Sequence, residues 1–411
     1  MSALLKLAFR NLLRNRRRTL ITASAITFGM ALMIWTNQLG YGMYQEMMRV
    51  GISTAAGHVV VQKDGYQADP DPLDVVLGAD EVQASLQAAF PEATVLQRSR
   101  LQGLLMTSAN TVGIGVMAVQ PGPETKVTDW HEKLVEGEWL EDADDRGILL
   151  GAQLRERLEA DIGDKVVLMG QGKEEVTSRL FRVRGVFRTG AAELDAFTAI
   201  VGLSAAQQFL ETPDAANQVS VHLADIRSTD EAVATARDRV GADGVEVLGW
   251  AEAMPEMVEF IRTDRGGNVV MMGILGVIVA IGVLNTILMS VMERMREFGV
   301  MLALGTPPSS LATVILLEGL LLAVFSVGAG VVLGMAGTWP LVEYGLDYSE
   351  MMGAETMETA GVVIQTQIHS AWDPFGTTAY ALGGLVLTTL SAVYPAWRAS
   401  RLEPVAAMHH V

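Results

Sequence analysis

The sequence predicts a membrane-embedded α-helical protein: four transmembrane helices, with a large α+β domain inserted between helices 1 and 2. Three observations carry that prediction. Four stretches are long and apolar enough to cross a bilayer. More than 200 residues of mixed strand-like and helix-like patterning separate the first two. Basic residues cluster before the first stretch, between the second and third and after the fourth, and the loop between the third and fourth has no Lys or Arg.

Half of the 411 residues are hydrophobic and mean hydropathy is positive, more apolar than a typical soluble chain. The formal net charge is −17, and no basic stripe appears outside the extreme N-terminus, which argues against nucleic acid as a partner. The chain has no cysteine, so disulfides, thiolate metal sites, a catalytic thiol and a lipid-modified cysteine are excluded.

The elements follow in order. Within residues 1–18, Leu5, Ala8, Phe9 and Leu12 share one helical face, and Lys6, Arg10, Arg14 and Arg17 flank it. That pattern predicts an amphipathic helix lying on the membrane. The first span is expected at 19–39. It is too long for a signal-peptide core, and TNQLGYGMYQ offers no small-x-small cleavage site, so it is read as a retained anchor.

Residues 40–265 form the inserted domain. Strand patterns occur at 57–65, 103–120, 165–170, 179–187 and 198–203, and helical patterns at 80–90, 151–164, 204–211 and 228–240. The two types mix without strict alternation, which indicates α+β rather than a doubly wound sheet. A helix over 250–265 is expected to end at Gly266–Gly267. The second span covers 266–292, with no charge from Val269 to Met292. A short connector, 293–310, leads to the third span at 311–337, which contains Glu318. A loop at 338–375, the fourth span at 376–396 and a tail at 397–411 complete the chain.

Lys6, Arg10, Arg14, Arg16, Arg17 and Arg18 precede the first span, Arg294 and Arg296 sit in the connector, and Arg398 and Arg401 follow the fourth. The 338–375 loop holds acids and no Lys or Arg. Both termini and the connector are therefore expected on the cytoplasmic side and the inserted domain on the other.

No covalent chemistry is legible. GQGKEE at 170–175 lacks the first glycine and the hydroxyl of a Walker A loop, and neither G-x-S-x-G nor H-E-x-x-H occurs. His409 and His410 adjoin without further metal ligands in sequence. The chain is expected to be no enzyme by itself and to carry no cofactor or metal.

Within ERMREFGVMLALG (293–305), Met295, Phe298, Met301 and Leu302 form one apolar face of a helix. Val300 and Leu304 lie opposite, among Glu293, Arg296 and Glu297. Two apolar faces suit a helix held against its own membrane helices and gripped by a partner. Gly305 is expected to cap it, Pro307 and Pro308 to stop it, and Ser309 or Ser310 to cap the third span. Inside the membrane, Glu318 is read either as a polar contact or as a snorkelling carboxylate, and Asn285 with Thr286 as interhelical hydrogen bonders.

One span, a large domain and three further spans, with RNLLRNRRRTLIT at 10–22, ERMREFGVMLALG at 293–305 and YPAWRASRLEPVAAM at 394–408, resembles the MacB/FtsX-type permeases of ABC transporters. GHVVVQKDGY at 57–66, VRGVFRTGAAELDAFTAIVGLSAAQQFL at 183–210 and LGWAEAMPEM at 248–257 are similar to the lipoprotein-releasing, LolC/LolE-like branch. That resemblance implies a bacterial inner-membrane location, a periplasmic domain, and a separate ATPase present in two copies that binds ATP and Mg. It also implies a second permease chain (a homodimer or a related heterodimer), lipoprotein or other lipid-anchored cargo, and a possible periplasmic chaperone. Glu293, Arg294, Arg296, Glu297, Phe298, Met301, Leu304 and Gly305 then become the ATPase-coupling residues. MacB-like efflux of peptides or toxins and FtsX-like signalling to a cell-wall hydrolase are the alternatives. The chain departs from the family's basic residues after Gly305, where it reads Thr-Pro-Pro-Ser-Ser.

Overall fold

The computed structural model describes residues 3–142, 146–173, 175–241, 244–349, 356–359 and 362–401. Residues 402–408 of the family-like tail, and His409 with His410, lie outside them. Two compact units result. One comprises Met1–Gln45, Ile261–Leu346 and Ile368–Val411; the other comprises Glu46–Phe260 and Asp347–Gln367.

The first unit holds the four apolar helices, apart from residues 46–51 of the first and 255–260 of the second, and each is longer than its hydropathy window. The first runs Arg16–Gly51, the second Pro255–Glu293, the third Pro308–Glu343 and the fourth Pro374–Ser391, which continues after a break at Ala392 as Val393–Ser400. The expected end of the helix at Gly266–Gly267 does not occur; the second helix passes straight through both. Two glycines cost about 1 kcal/mol each in helix propensity. The uninterrupted ladder of a long helix leaves no backbone group without a partner at the start of an apolar segment. Gly40 and Gly42, just past the expected end of the first span at 39, are likewise internal. At Gly42 a Cβ would fall 2.0 Å from the His369 carbonyl oxygen, so the residue serves close packing rather than a turn.

Small residues set the helix contacts. Cβ atoms at Gly330 and Gly334 would meet the first helix at Met30 and Ile34, and the Thr27 hydroxyl donates to the Ser326 carbonyl at 3.0 Å across the same seam. At Gly319 a Cβ would lie 2.5 Å from that of Ala392 on the fourth helix. In the N-terminal helix, Ala3–Arg14, Ala8 is fully buried and Leu12 packs into the unit's apolar cluster, so part of the stripe faces protein, while Phe9 and Leu13 remain exposed. An amphipathic pattern reports one covered face without saying what covers it.

The second unit is the inserted domain. Its strands are β1 (Val59–Lys63), β2 (Val76–Leu77), β3 (Thr94–Met106), β4 (Thr111–Val119), β5 (Leu134–Gly137) and β6 (Gly147–Gly151). They continue with β7 (Lys165–Gln171), β8 (Val176–Phe187), β9 (Thr198–Gly202), β10 (Ala215–Ala216), β11 (Gln218–His222) and β12 (Val245–Gly249). Pairing runs β12-β1-β11-β3-β4-β9-β6-β8-β5, and β7 pairs with both β3 and β8. The path β3-β4-β9-β6-β8-β7 therefore closes on itself, which leaves those strands few free edges. Parallel pairs (β4 with β9, β6 with β8) mix with antiparallel ones, in keeping with α+β.

The stretch read as one strand at 103–120 is a hairpin, turned at Thr107, whose hydroxyl accepts from the Asn110 amide at 3.1 Å. The helix expected at 151–164 stops at Leu158, because Glu159 adopts φ 51°. Strands β6, β11 and β12 lacked a sequence signal: they are short, and β6 is buried on both faces, so alternation is absent. Phe181, Leu105, Leu150 and Phe209 belong to the domain's main apolar core. Within the 338–375 loop, Thr356–Thr359 pairs with Val362–Gln365.

Substituting Gly330→Val should lower the thermal midpoint in detergent, at a cost of about 1–3 kcal/mol for overpacking. At Gly328 a Cβ would meet nothing within 4 Å, so Gly328→Val should be nearly silent in the same melt.

Candidate functional site

The second helix ends where Arg294 leaves helical geometry (φ −103°, ψ 9°), and the connector helix, Met295–Ala303, begins at the next residue. Its C-terminus is closed by two hydrogen bonds, Thr306 N to Met301 O and Gly305 N to Leu302 O, both 3.0 Å. Gly305 sits at φ 91°, so this is a Schellman closure with glycine at the left-handed position, in accord with its expected capping role. The expected serine cap is replaced. Pro307 is the N-cap of the third helix and Pro308 its first residue, where a missing N–H costs nothing, and Ser309 and Ser310 fall inside the first turn.

The two faces of the connector helix have different fates. Met295 and Phe298 are buried, and Phe298 joins Ile287, Leu311 and Ile315 in the unit's apolar cluster, with Met301 packed against it. On the other side Arg296 is exposed, Val300 is half-exposed and Leu304 is 82% exposed.

A charge network lies beneath. Arg294 Nη1 reaches Glu318 Oε1 at 3.0 Å, with both side chains almost wholly covered. The Asn11 amide donates to the same carboxylate oxygen at 2.6 Å. Arg294 Nε also approaches Glu297 at 3.4 Å, and its guanidinium lies over the Phe298 ring, 4.9 Å from the centroid. Arg14 pairs with Glu297 at 2.6 Å, and Arg18 pairs with Glu293. The Arg14 guanidinium holds the Glu297 carboxyl below the usual range, with Arg294 adding to the effect against a burial penalty. Three arginines and three glutamates thus tie together the N-terminal helix, the start of the first long helix, the connector and the third helix.

This arrangement divides the eight expected coupling residues. Arg294 and Phe298 are placed inside the unit rather than at a docking face: the guanidinium offsets its loss of water by pairing with Glu318, and the ring is stabilised by burial among apolar helices. Met301 is half-buried, while Glu293 and Glu297 face outward but are paired. Arg296, Leu304 and Gly305 are exposed. Glu318, left open between two readings, is an ion-pair partner. Asn285 lies on the exposed side of the second helix, and the Thr286 hydroxyl bonds its own helix at Gly282, not a neighbour. Asn11, Arg14 and Arg18 were missed as partners because 275 to 307 positions separate them from their acids.

A second feature lies in the same unit. An apolar cavity of about 350 Å³ opens between the first, second and fourth helices. Gly29, Met30 and Met33 face Met272, Gly276 and Tyr380 across it. Beyond the cavity in the chain direction, the Tyr44 hydroxyl donates to Asp264, and Asn37 donates to Asp373 at 3.1 Å. These bonds join the first helix to the second and to the start of the fourth.

Residues 19–239, more than half of the chain, match the MacB-like periplasmic core domain, and residues 269–404 match the FtsX-like permease C-terminal region. The chain belongs to the MacB/FtsX-type family of ABC transporter permeases. Among similar proteins, the lipoprotein-releasing system transmembrane protein LolC of Neisseria meningitidis serogroup B is 23% identical, over 95% of this chain and 94% of that one. LolC of Xylella fastidiosa strain 9a5c is 26% identical, over 94% and 92%. The macrolide export ATP-binding/permease protein MacB of Nitrobacter winogradskyi is 24% identical over 98% of this permease, which spans 59% of that longer chain. The crystal structure of the periplasmic region of MacB from Actinobacillus actinomycetemcomitans aligns with 51% of this permease and 95% of that chain, at 11% identity and a TM-score of 0.37.

Removing one member of the covered pair strands the other. Glu318→Leu should cost about 3 kcal/mol and lower the thermal midpoint. The double variant Arg294→Met with Glu318→Leu should recover most of that loss in the same melt.

Proposed function

We propose that this permease couples ATP hydrolysis on a separate ABC ATPase to the extraction of lipid-anchored proteins from the outer leaflet of a bacterial inner membrane. The observation that carries this reading is the apolar cavity between the first, second and fourth helices. A space of that size with almost no polar lining suits an acyl chain and not a polar solute. LolC relatives matched over more than nine-tenths of both chains point the same way.

In this reading both termini and the connector are cytoplasmic, as the arginine distribution requires, and the inserted domain is periplasmic. Two permease chains, identical or paired with a related one, hold two ATPase copies that bind ATP and Mg. The connector offers Val300, Leu304 and Arg296 to a groove on the ATPase, while Phe298 and Arg294 pass the push into the third helix and the N-terminal segment. Released cargo leaves toward a periplasmic chaperone. Export of a soluble peptide or toxin, as the MacB relatives suggest, is the competing reading.

Reconstitution with the ATPase in vesicles bearing a triacylated lipoprotein distinguishes them. ATP-dependent transfer of that lipoprotein to a soluble acceptor is expected; ATP-driven peptide export with no lipoprotein transfer overturns the reading. At Gly276 a Cβ would lie 3.1 Å from Leu387, so Gly276→Leu intrudes on the cavity. It should reduce transfer about tenfold while ATPase activity persists. Leu304→Asp should cut co-purification of the ATPase about tenfold without affecting membrane insertion. Recovery at wild-type levels would remove Leu304 from the docking face.

A further inference from the structure

The first long helix does not end in an ordinary cap. After Gly51 it widens into a five-residue π-turn, Ile52–Ala56, closed by Gly57 N donating to Ile52 O at 2.8 Å. π-turns are rare and concentrate at functional positions, because they release carbonyl groups that something else must satisfy. Gly57 then turns at φ 72°, where a Cβ would also stand 2.9 Å from that of Ser220. One residue later the chain enters the sheet, with His58 N donating to Val221 O at 2.9 Å.

The released carbonyls are gripped from the sheet. Arg98, on β3, donates from Nη2 to the Ser53 carbonyl at 2.7 Å. Gln218, on β11, donates to the Ala55 carbonyl at 2.9 Å, and Arg100 Nη2 lies 3.5 Å from the same oxygen. Glu124 holds Arg98 in place with two bonds, Nε to Oε2 at 3.1 Å and Nη2 to Oε1 at 2.7 Å. The Thr128 hydroxyl adds a third bond to that carboxylate, at 3.1 Å. The side chains of Arg98 and Glu124 are only 4% and 1% exposed. Burial, with Arg98 adding to it, keeps the adjacent His222 imidazole neutral well below the usual histidine range.

A buried ion pair is an expensive way to stabilise a domain, since two apolar side chains of similar volume commonly do as well. Its distinctive property here is directional. The guanidinium is pinned by one carboxylate and points a strong donor at the negative end of a helix. We propose that Arg98 is a positioning residue of the transport cycle, clamping the π-turn to β3 so that displacement of the first long helix moves the sheet of the inserted domain. This rests on the permease reading above. The clamp acts on a helix continuous from Arg16, so a shift along it arrives at Ser53, where the Arg98 hydrogen bond hands it to β3.

The test uses the full permease with its co-purified ATPase in nanodiscs and compares wild type, Arg98→Met, Arg98→Lys and the double variant Arg98→Met with Glu124→Met. The double variant removes both buried charges, so it should fold as wild type does while lacking the grip. Hydrogen exchange over residues 50–56 and over β3 is followed with and without vanadate trapping of the ATPase. In wild type, trapping should alter exchange in both the π-turn and β3. In the double variant, π-turn amides should exchange at least tenfold faster, and the trapping response should not reach β3. ATPase activity should stay within twofold of wild type and lipoprotein transfer should fall about tenfold, with part of it restored in Arg98→Lys. A double variant with a wild-type trapping response across β3 overturns the clamp. That readout needs no cargo, so failure of lipoprotein transfer in the wild type would count against the permease's proposed cargo and leave the clamp to be judged by exchange alone.

Discussion

A carboxylate within an apolar helix has to be paired or protonated, and the pairing of Glu318 with Arg294 organises the end of the unit at which the connector lies. Arg294 must leave the second helix to reach Glu318, and that departure is where the helix breaks and the connector begins. Once there, the guanidinium lies over Phe298 and brings Glu297 within reach of Arg14, and Asn11 completes the coordination of Glu318. The N-terminal helix is thereby recruited into the protein and Ala8 is buried. One buried pair thus explains a kink, the orientation of a helix and the fate of an amphipathic face.

The same logic, a charge that is affordable only with its partner in place, recurs in the inserted domain at Arg98 and Glu124. In both places an arginine satisfies a carboxylate and makes a second contact at once, Arg294 with Glu297 and the Phe298 ring, Arg98 with the Ser53 carbonyl. Five planar donors make arginine suited to this double duty, where a lysine would have to choose. Elsewhere contacts are made by smallness. Gly319, Gly330 and Gly334 let the third helix approach its neighbours closely, which in lipid replaces the hydrophobic driving force that water would provide.

Much of the architecture was legible in sequence because its causes are local. Four apolar windows need only length and composition, and the mixed patterning of residues 40–265 follows from periodicities within single elements. The two-faced connector and its Gly305 closure were readable for the same reason: residues 295 to 306 carry the whole signal. Strand β6 was not, since burial on both faces erases alternation, and Gly266 and Gly267 misled because a glycine pair looks alike whether it ends a helix or lies within one.

What the sequence by itself determined was the list of parts: the spans, the inserted α+β domain, the short charged helix between the second and third spans, and the family to which these belong in that order. Tertiary structure alone decided which residues of that helix face outward. Arg294 and Arg296 are two positions apart and chemically identical, yet one is buried on Glu318 and the other is exposed. The difference depends on a carboxylate 24 residues away and an asparagine 307 positions from it. No local pattern encodes such separations, because the energy that selects the partner exists only when both are removed from water together.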